Sequence, residues 1–279
     1  MSGCQGFGYV GTRLSRNFSR VADGRRVCQP YRGGGISDVT SPAVSEPGDP
    51  PLAYSASQIR RAGDRIRRAV EKEEAPTRED LQLLNNYRAW HQPTLEDCQR
   101  QLVALFHEEM GLDPENFAIT GRPLKTVEAI TAKLVRNKMR LTRMQDIAGT
   151  RVVIPNLDLQ DSVTKIVIAL FADKDGKVVK DTREKGDNFG YRAIHVVATL
   201  DGRFAEVQVR TAYQDVWAQI VERTDKMLGT DLKHGEGPTD WLEWLFELSD
   251  ALRERDLGRL VPLPPTPHDL LQLDEESTE

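Results

Sequence analysis

The stretch from Ile194 to Arg210 does most to limit what this chain can fold into. Two runs of alternating character, Ile194–Leu200 and Phe204–Arg210, meet at Asp201-Gly202. An Asp-Gly pair between alternating runs is a strong tight-turn signal, so the spacing predicts a β-hairpin. Side chains alternate faces along a strand, which puts Ala205, Val207 and Val209 on one face and Glu206, Gln208 and Arg210 on the other. A carboxylate, an amide and a guanidinium in one row make an odd core and a good floor for a polar pocket. A solvent-facing strand is the plainer alternative. In the partner strand His195 alternates with Val197, and Tyr191 and Arg192 enter after Gly190. A lone histidine is more often structural or exposed than functional, so the row on the second strand carries the argument.

Around this hairpin the pattern is mixed. Apolar residues at helical spacing predict helices over 57–73, over 77–92 and from Thr94 onward, with Thr77-x-x-Asp80 and Thr94-x-x-Asp97 as start signals. Further helices are expected over 126–137, from an Asp158 cap to Phe171, over 212–227 and over 241–255. Strands are expected at 149–154 and 177–180. The fold class is therefore α+β, with an N-terminal helical segment over 53–116 and a mixed domain over 117–258. Residues 1–52, rich in Gly, Ser, Pro and Arg, and the Pro-rich, acidic stretch 259–279 show no folding pattern and are expected to be disordered.

Composition narrows the class. No apolar run approaches the roughly 18–20 residues a membrane helix needs, and Met1–Val10 does not read as a signal peptide. Three cysteines, Cys4, Cys28 and Cys98, without metal-type spacing fit reduced thiols and a cytoplasmic location. The net charge of −5 hides a local excess: eight basic residues lie between Arg122 and Arg151, against Glu128 and Asp146. A basic surface on an acidic protein points to an anionic substrate, with a solvated helix face as the alternative.

Asp146 falls just before a predicted strand, in Met144-Gln-Asp-Ile-Ala-Gly-Thr-Arg151. Two carboxylates on adjacent strands, Asp146 and Glu206, suit a hard cation such as Mg²⁺ when phosphates supply its other ligands. Phosphoryl-type transfer asks for little more than metal, cationic clamps and an oriented nucleophile. No Walker A, kinase or dinucleotide signature is present to claim the phosphates instead.

Gln145-Asp-Ile-Ala-Gly-Thr-Arg151, Gly190-Tyr-Arg-Ala-Ile-His195 and Ala205-Glu-Val-Gln-Val-Arg-Thr211 together resemble the three signature blocks of RelA/SpoT synthetase domains, in the right order. Lys125 to Arg136 is similar to the ATP-binding segment that opens such domains, and Asn86-Tyr-Arg-Ala-Trp-His91 to a segment of single-domain members. The resemblance spans about residues 117–235. It implies a nucleotidyltransferase-like mixed sheet flanked by helices. It also implies a pyrophosphokinase moving the β,γ-pyrophosphate of ATP to the 3′-hydroxyl of GDP or GTP, making a (p)ppGpp alarmone. By the same resemblance Asp146 and Glu206 hold Mg²⁺, and Glu206 also acts as general base. Arg122, Lys125, Lys133, Arg136 and Arg151 hold ATP. Tyr191 stacks on the acceptor base, Arg192 and His195 contact acceptor phosphates, and Gln208 and Arg210 line the floor.

The chain also departs from that pattern. Arg122-Pro-Leu-Lys125 is one residue longer than the usual Arg-x-Lys, and Ala129 stands where a Ser is common. Asp181-Thr-Arg183 replaces an acidic-Tyr-Ile entry, Asp187 a Lys, and Arg223 and Lys226 the His and Asn of the last block. These changes sit mostly on the acceptor side. They leave open a toxin-like member that makes adenosine alarmones or modifies the tRNA 3′ end, with Lys138, Arg140 and Arg143 seating RNA. A non-catalytic nucleotide-binding module is the third alternative. A homo-oligomer and a neutralising antitoxin partner are both compatible with the resemblance. No hydrolase half is visible, so synthesis without self-hydrolysis is expected.

Overall fold

A computed structural model describes residues 53–121 and 123–267. The regions 1–52 and 268–279, and Arg122, lie outside the described residues. Seven α-helices and five strands follow one another along the described chain: α1 (Ala56–Glu71), α2 (Arg78–Ala89), α3 (Gln92–Val103), β1 (Ala118–Gly121), α4 (Val127–Asn137), β2 (Ala148–Ile154), α5 (Leu157–Leu170), β3 (Lys177–Asp181), β4 (Ile194–Leu200), β5 (Arg203–Thr211), α6 (Ala212–Leu228) and α7 (Thr239–Asp256). The strands form one sheet in the order β1-β2-β5-β4-β3. Only β2 and β5 pair in parallel; the other neighbours are antiparallel.

The predicted hairpin is β4–β5. Asp201 and Gly202 both take positive φ, 48° and 76°, the geometry of a type I′ turn whose twist matches that of the strands. Alternation then sorts the sheet's two faces. Val152, Ile154, Ile194, Val196, Val207 and Val209 are buried together with Cys98, Leu102 and Phe106, and with Val163, Val167 and Phe171 of the α5 region. The opposite face carries Gly149, Arg151, His195, Glu206, Gln208 and Arg210. It is not the solvent-facing surface that stood as the alternative: Glu206 is 7% exposed, Gln208 5% and Arg210 0%.

Two further cores frame that face. Ile59 and Ile66 of α1, Leu84 and Tyr87 of α2, and Ile130 and Leu134 of α4 pack with Leu141, Met144 and Ile147. Trp217 and Val221 of α6 pack with Trp241, Leu245 and Leu248 of α7, and with Tyr191 and Ala193. Two helix starts differ from those predicted. The third helix begins at Gln92 with Pro93 in its first turn, leaving Thr94 buried inside it, because proline suits that first turn where its missing N–H costs nothing. Asn156, not Asp158, caps α5 by accepting from Leu159 N. Residues 261–267 have no regular structure but are held on α7, where Arg255 donates to Val261 O and Trp244 to Pro264 O. No helix among the described residues is long and apolar enough to cross a membrane.

Candidate active site

A cleft of about 570 Å³ opens over the polar face of the sheet. Its lining includes Lys125, Lys133, Arg136, Asp146, Lys180, Tyr191, His195, Glu206, Gln208 and Lys233. Asp146 lies just before β2, where the parallel register sets Gly149 against Glu206 of β5. A Cβ at Gly149 would meet nothing within 4 Å, so the backbone there opens directly on the cleft.

Asp146 sits between two lysines. Its Oδ2 is 2.7 Å from Lys133 Nζ and 3.1 Å from Lys125 Nζ. Burial alone would raise its carboxyl; the two ammonium groups prevail and hold it below the usual range. Its Oδ1 is buried with no hydrogen-bond partner. An orphaned buried carboxylate oxygen beside a second carboxylate fits a hard divalent cation, with phosphates completing the shell. Lys125 is positioned from afar. Arg88 of α2 donates to Lys125 O at 2.7 Å and to Leu124 O at 3.1 Å, and Lys125 N donates to Ile147 O. This is how the N-terminal helices reach the site.

On the floor, five hydrogen bonds close into a ring. His195 Nδ1 is 2.8 Å from Glu206 Oε1, and His195 Nε2 is 2.8 Å from Tyr191 Oη. Arg210 Nη2 donates to Tyr191 Oη at 2.9 Å and to Gln208 Oε1 at 2.7 Å; Gln208 Nε2 donates to Glu206 Oε2 at 2.7 Å. A guanidinium can only donate. In the neutral ring the Tyr191 hydroxyl therefore donates to His195 Nε2, leaving Nδ1–H to face the carboxylate. Burial pushes Glu206 up, but His195 and Gln208 outweigh it and bring the carboxyl down to about 2.

The expected site residues divide. Asp146, Glu206, Lys125, Lys133, Arg136, Tyr191, His195 and Gln208 share the cleft. Arg136 approaches Asp231 at 3.6 Å. Arg151 instead pairs with Glu222 of α6 at 2.7 Å. Arg192, expected on acceptor phosphates, is 5% exposed and tied to Ser249 and Asp250 of α7 and to the carbonyls of Arg183 and Glu184. It shapes the 183–190 loop from behind. Arg210 lies beneath the floor, fixed by Asp215 at 3.1 Å. Tyr191 is 2% exposed, and its ring faces Lys180, Lys233 and Arg210 at 5.1–5.2 Å. Arg88, Lys180, Lys233 and His234 escaped the sequence reading. For Lys180 and Lys233 the available signal was a lysine beside each end of the acceptor loop and the last helix pair; neither sits in a signature block.

A mixed sheet with the parallel pair β2–β5, facing a lysine-lined cleft that holds two carboxylates, fits the nucleotidyltransferase-like sheet flanked by helices expected from the sequence. Residues 121–224 match the family described as "Region found in RelA / SpoT proteins", and over this region the chain is similar to that family. It is 27% identical over 187 residues to an uncharacterized protein of Mycobacterium tuberculosis, covering 66% of this chain and 64% of that one. It is 28% identical over 155 residues to the GTP pyrophosphokinase YwaC of Bacillus subtilis, covering 50% of this chain and 71% of the relative. Among solved structures, small alarmone synthetase 1 of Bacillus subtilis bound to its product pppGpp is 25% identical. The match covers 68% of this chain and 95% of the synthetase, with a TM-score of 0.49.

Proposed function

We propose that the chain is a pyrophosphokinase that moves the β,γ-pyrophosphate of ATP to the 3′-hydroxyl of GDP or GTP. The observation that carries this reading is Asp146, ionised between Lys125 and Lys133 with a buried oxygen left unsatisfied beside Glu206. In this reading the acceptor 3′-oxygen forms a bond to the β-phosphorus. The bond from that phosphorus to the α,β-bridging oxygen breaks, and AMP leaves with the electron pair. Asp146 and Glu206 would hold Mg²⁺, which supplies charge neutralisation on the phosphates when bound. Lys125, Lys133 and Arg136 bind and orient the ATP phosphates.

Glu206, lowered to about 2, stays ionised for a cation and is a weak base. In a loose phosphoryl-type transition state the attacking hydroxyl becomes acidic only as its new bond forms. A weak base at hydrogen-bond reach then suffices to take the proton late. The test is incubation of the chain with γ-labelled ATP and, separately, GDP, GTP, ATP or deacylated tRNA. Label on GDP or GTP supports the reading. Label on tRNA alone, or none with any acceptor, overturns it.

A further inference from the structure

The region that matches the family begins at residue 121, yet a guanidinium from α2 holds the segment that carries Lys125. Arg88 Nε donates to Lys125 O at 2.7 Å, and its Nη2 donates to Leu124 O at 3.1 Å. One planar fork thus takes two consecutive carbonyls, an arrangement the single nitrogen of a lysine matches poorly. The anchorage of α2 does not depend on these bonds. Arg65 of α1 donates to both oxygens of Asp80, which is 4% exposed on α2, and Leu84 and Tyr87 are packed in the core shared with α1 and α4.

What Arg88 grips is gripped from the other side as well. Lys125 N donates to Ile147 O, next to Asp146, at 3.0 Å. Leu124 is 5% exposed and packs with Leu95 of α3 and Ala148 at the start of β2. The segment is therefore pinned between α2 and the entry to β2, with Lys125 Nζ 3.1 Å from Asp146 Oδ2. Lys133 reaches the same oxygen from within α4, a helix that Ile130 and Leu134 lock into the core and Thr126 caps. The two lysines differ in this respect. Lys133 is set by its helix, whereas Lys125 lies before the cap and is set by the contacts of two backbone residues.

Resting on the reading proposed above, we infer that Arg88 is a positioning residue for the donor half of the site. Through the Leu124 and Lys125 carbonyls it sets the Lys125 ammonium against Asp146, and so acts on ATP and its metal rather than on the acceptor. Errors of about 1 Å in such placements cost up to about 10²-fold in rate, so a side chain that never touches the nucleotide can still govern how it is held. The helical segment before residue 117 is then a working part of the donor site.

The test is a double-mutant cycle in the full chain. It is read by equilibrium binding of a non-hydrolysable ATP analogue with Mg²⁺, with ATP KM and acceptor KM from transfer assays in parallel. Arg88→Ala and Lys125→Ala are each expected to weaken analogue binding about ten-fold, the scale of one bond to a charged group. The two together should lose no more than Lys125→Ala alone, because Arg88 works through that lysine. Arg88→Lys should recover part of the loss. Acceptor KM should stay within about two-fold in every variant, the scatter of independent sites. Arg65→Ala, which breaks the pair between α1 and α2, should lower the melting temperature and leave ATP KM unchanged.

Losses that multiply in the double variant would make Arg88 independent of Lys125 and overturn the inference. An equal rise in acceptor KM, or the same rise in ATP KM from Arg65→Ala, would reduce Arg88 to a general support of the fold and overturn it too. If Arg88→Ala does not fold, the cycle is run with Arg88→Lys, whose smaller loss should likewise vanish beside Lys125→Ala. Coupled analogue binding without transfer to any acceptor would sink the pyrophosphokinase reading and leave Arg88 in its role. Transfer to GTP with uncoupled variants would do the reverse.

Discussion

His195 Nδ1 lies 2.8 Å from Glu206 Oε1, and this hydrogen bond lowers the pKa of a carboxylate that burial alone would raise. With the donor removed, Glu206 keeps its burial and loses the largest force lowering it, so its pKa must rise. His195→Ala is therefore expected to move the acid limb of the pH profile of kcat/KM to higher pH. His195→Gln, which can place an amide donor on the same oxygen, should move it less. Identical acid limbs in all three proteins would show that the hydrogen bond does not set the ionisation.

Tyr191 is expected to matter through its hydroxyl. Read as a stacking ring alone, it would tolerate Tyr191→Phe. In the structure the hydroxyl joins Arg210 to His195, so phenylalanine leaves two polar partners short of a bond in a buried ring. An unsatisfied buried group costs about 1–3 kcal/mol, so Tyr191→Phe should lower kcat/KM by about ten-fold or more. Tyr191→Ala should also lower the melting temperature, because it hollows the core shared with Trp217. Wild-type kcat/KM in the phenylalanine variant would return the residue to a purely stacking role.

Much of this site is legible without coordinates. Period-2 alternation and Asp201-Gly202 define the hairpin, and alternation alone puts Glu206, Gln208 and Arg210 on one face. What alternation cannot say is what lies above that face. Asp215, five residues past Arg210 on α6, draws the guanidinium under the floor, and Ser249 and Asp250 of α7 draw Arg192 behind the loop. Both arrangements depend on later helices. The start of α3 misleads for a local reason: Thr94 carries the side chain of a start signal, but Pro93 is better suited to a first turn. Lys233 is illegible in the sequence because only the packing of Leu232 and the approach of Phe189 to Gly235 turn it toward Tyr191.

Asp146→Asn and Glu206→Gln test the two carboxylates separately. Asp146→Asn removes the charge held between Lys125 and Lys133 with little change of shape. Glu206→Gln brings an amide against donors from His195 and Gln208, so one of those bonds is lost as well. Each variant is expected to reduce transfer to background at saturating Mg²⁺, and Glu206→Gln should unfold at lower temperature than Asp146→Asn. Substantial turnover in either variant would remove that carboxylate from the chemistry.

Asp256 should make the fold slightly less stable at neutral pH. Burial pushes its carboxyl up to about 6, although Thr211 Oγ1 donates to it at 2.6 Å. Against an unfolded value of about 3.9, the folded state binds this proton more tightly. Stability from this group is thus greatest below about 4 and falls as pH rises to about 6. Asp256→Asn keeps an acceptor for Thr211 and abolishes the titration. Because the group is partly solvent-screened, the gain near pH 7.5 is set at about 1 kcal/mol, or roughly 2–4 °C in Tm. A variant no more stable than wild type at pH 7.5, or one more stable only at pH 4, would contradict the assignment.

The exposed basic run separates a free nucleotide from an RNA acceptor. Lys138, Arg140 and Arg143 are all exposed, and they are not among the residues lining the cleft. Lys138 closes α4 in a left-handed conformation, φ 46°, which turns the chain away from the helix that carries Lys133 and Arg136. A free nucleotide held between Asp146 and Tyr191 does not need them. Changing all three to alanine is therefore expected to leave transfer to GDP and GTP within about two-fold, far below the roughly ten-fold of one missing charged bond. An RNA acceptor would lie across this rim. The same variant would then bind more weakly, with its salt dependence flattened by about one unit for each phosphate no longer neutralised. Measuring transfer to GDP, GTP and deacylated tRNA at several salt concentrations distinguishes the two. A collapse of nucleotide transfer in the triple variant, or a tRNA signal that vanishes with it, would show that the rim belongs to the acceptor site.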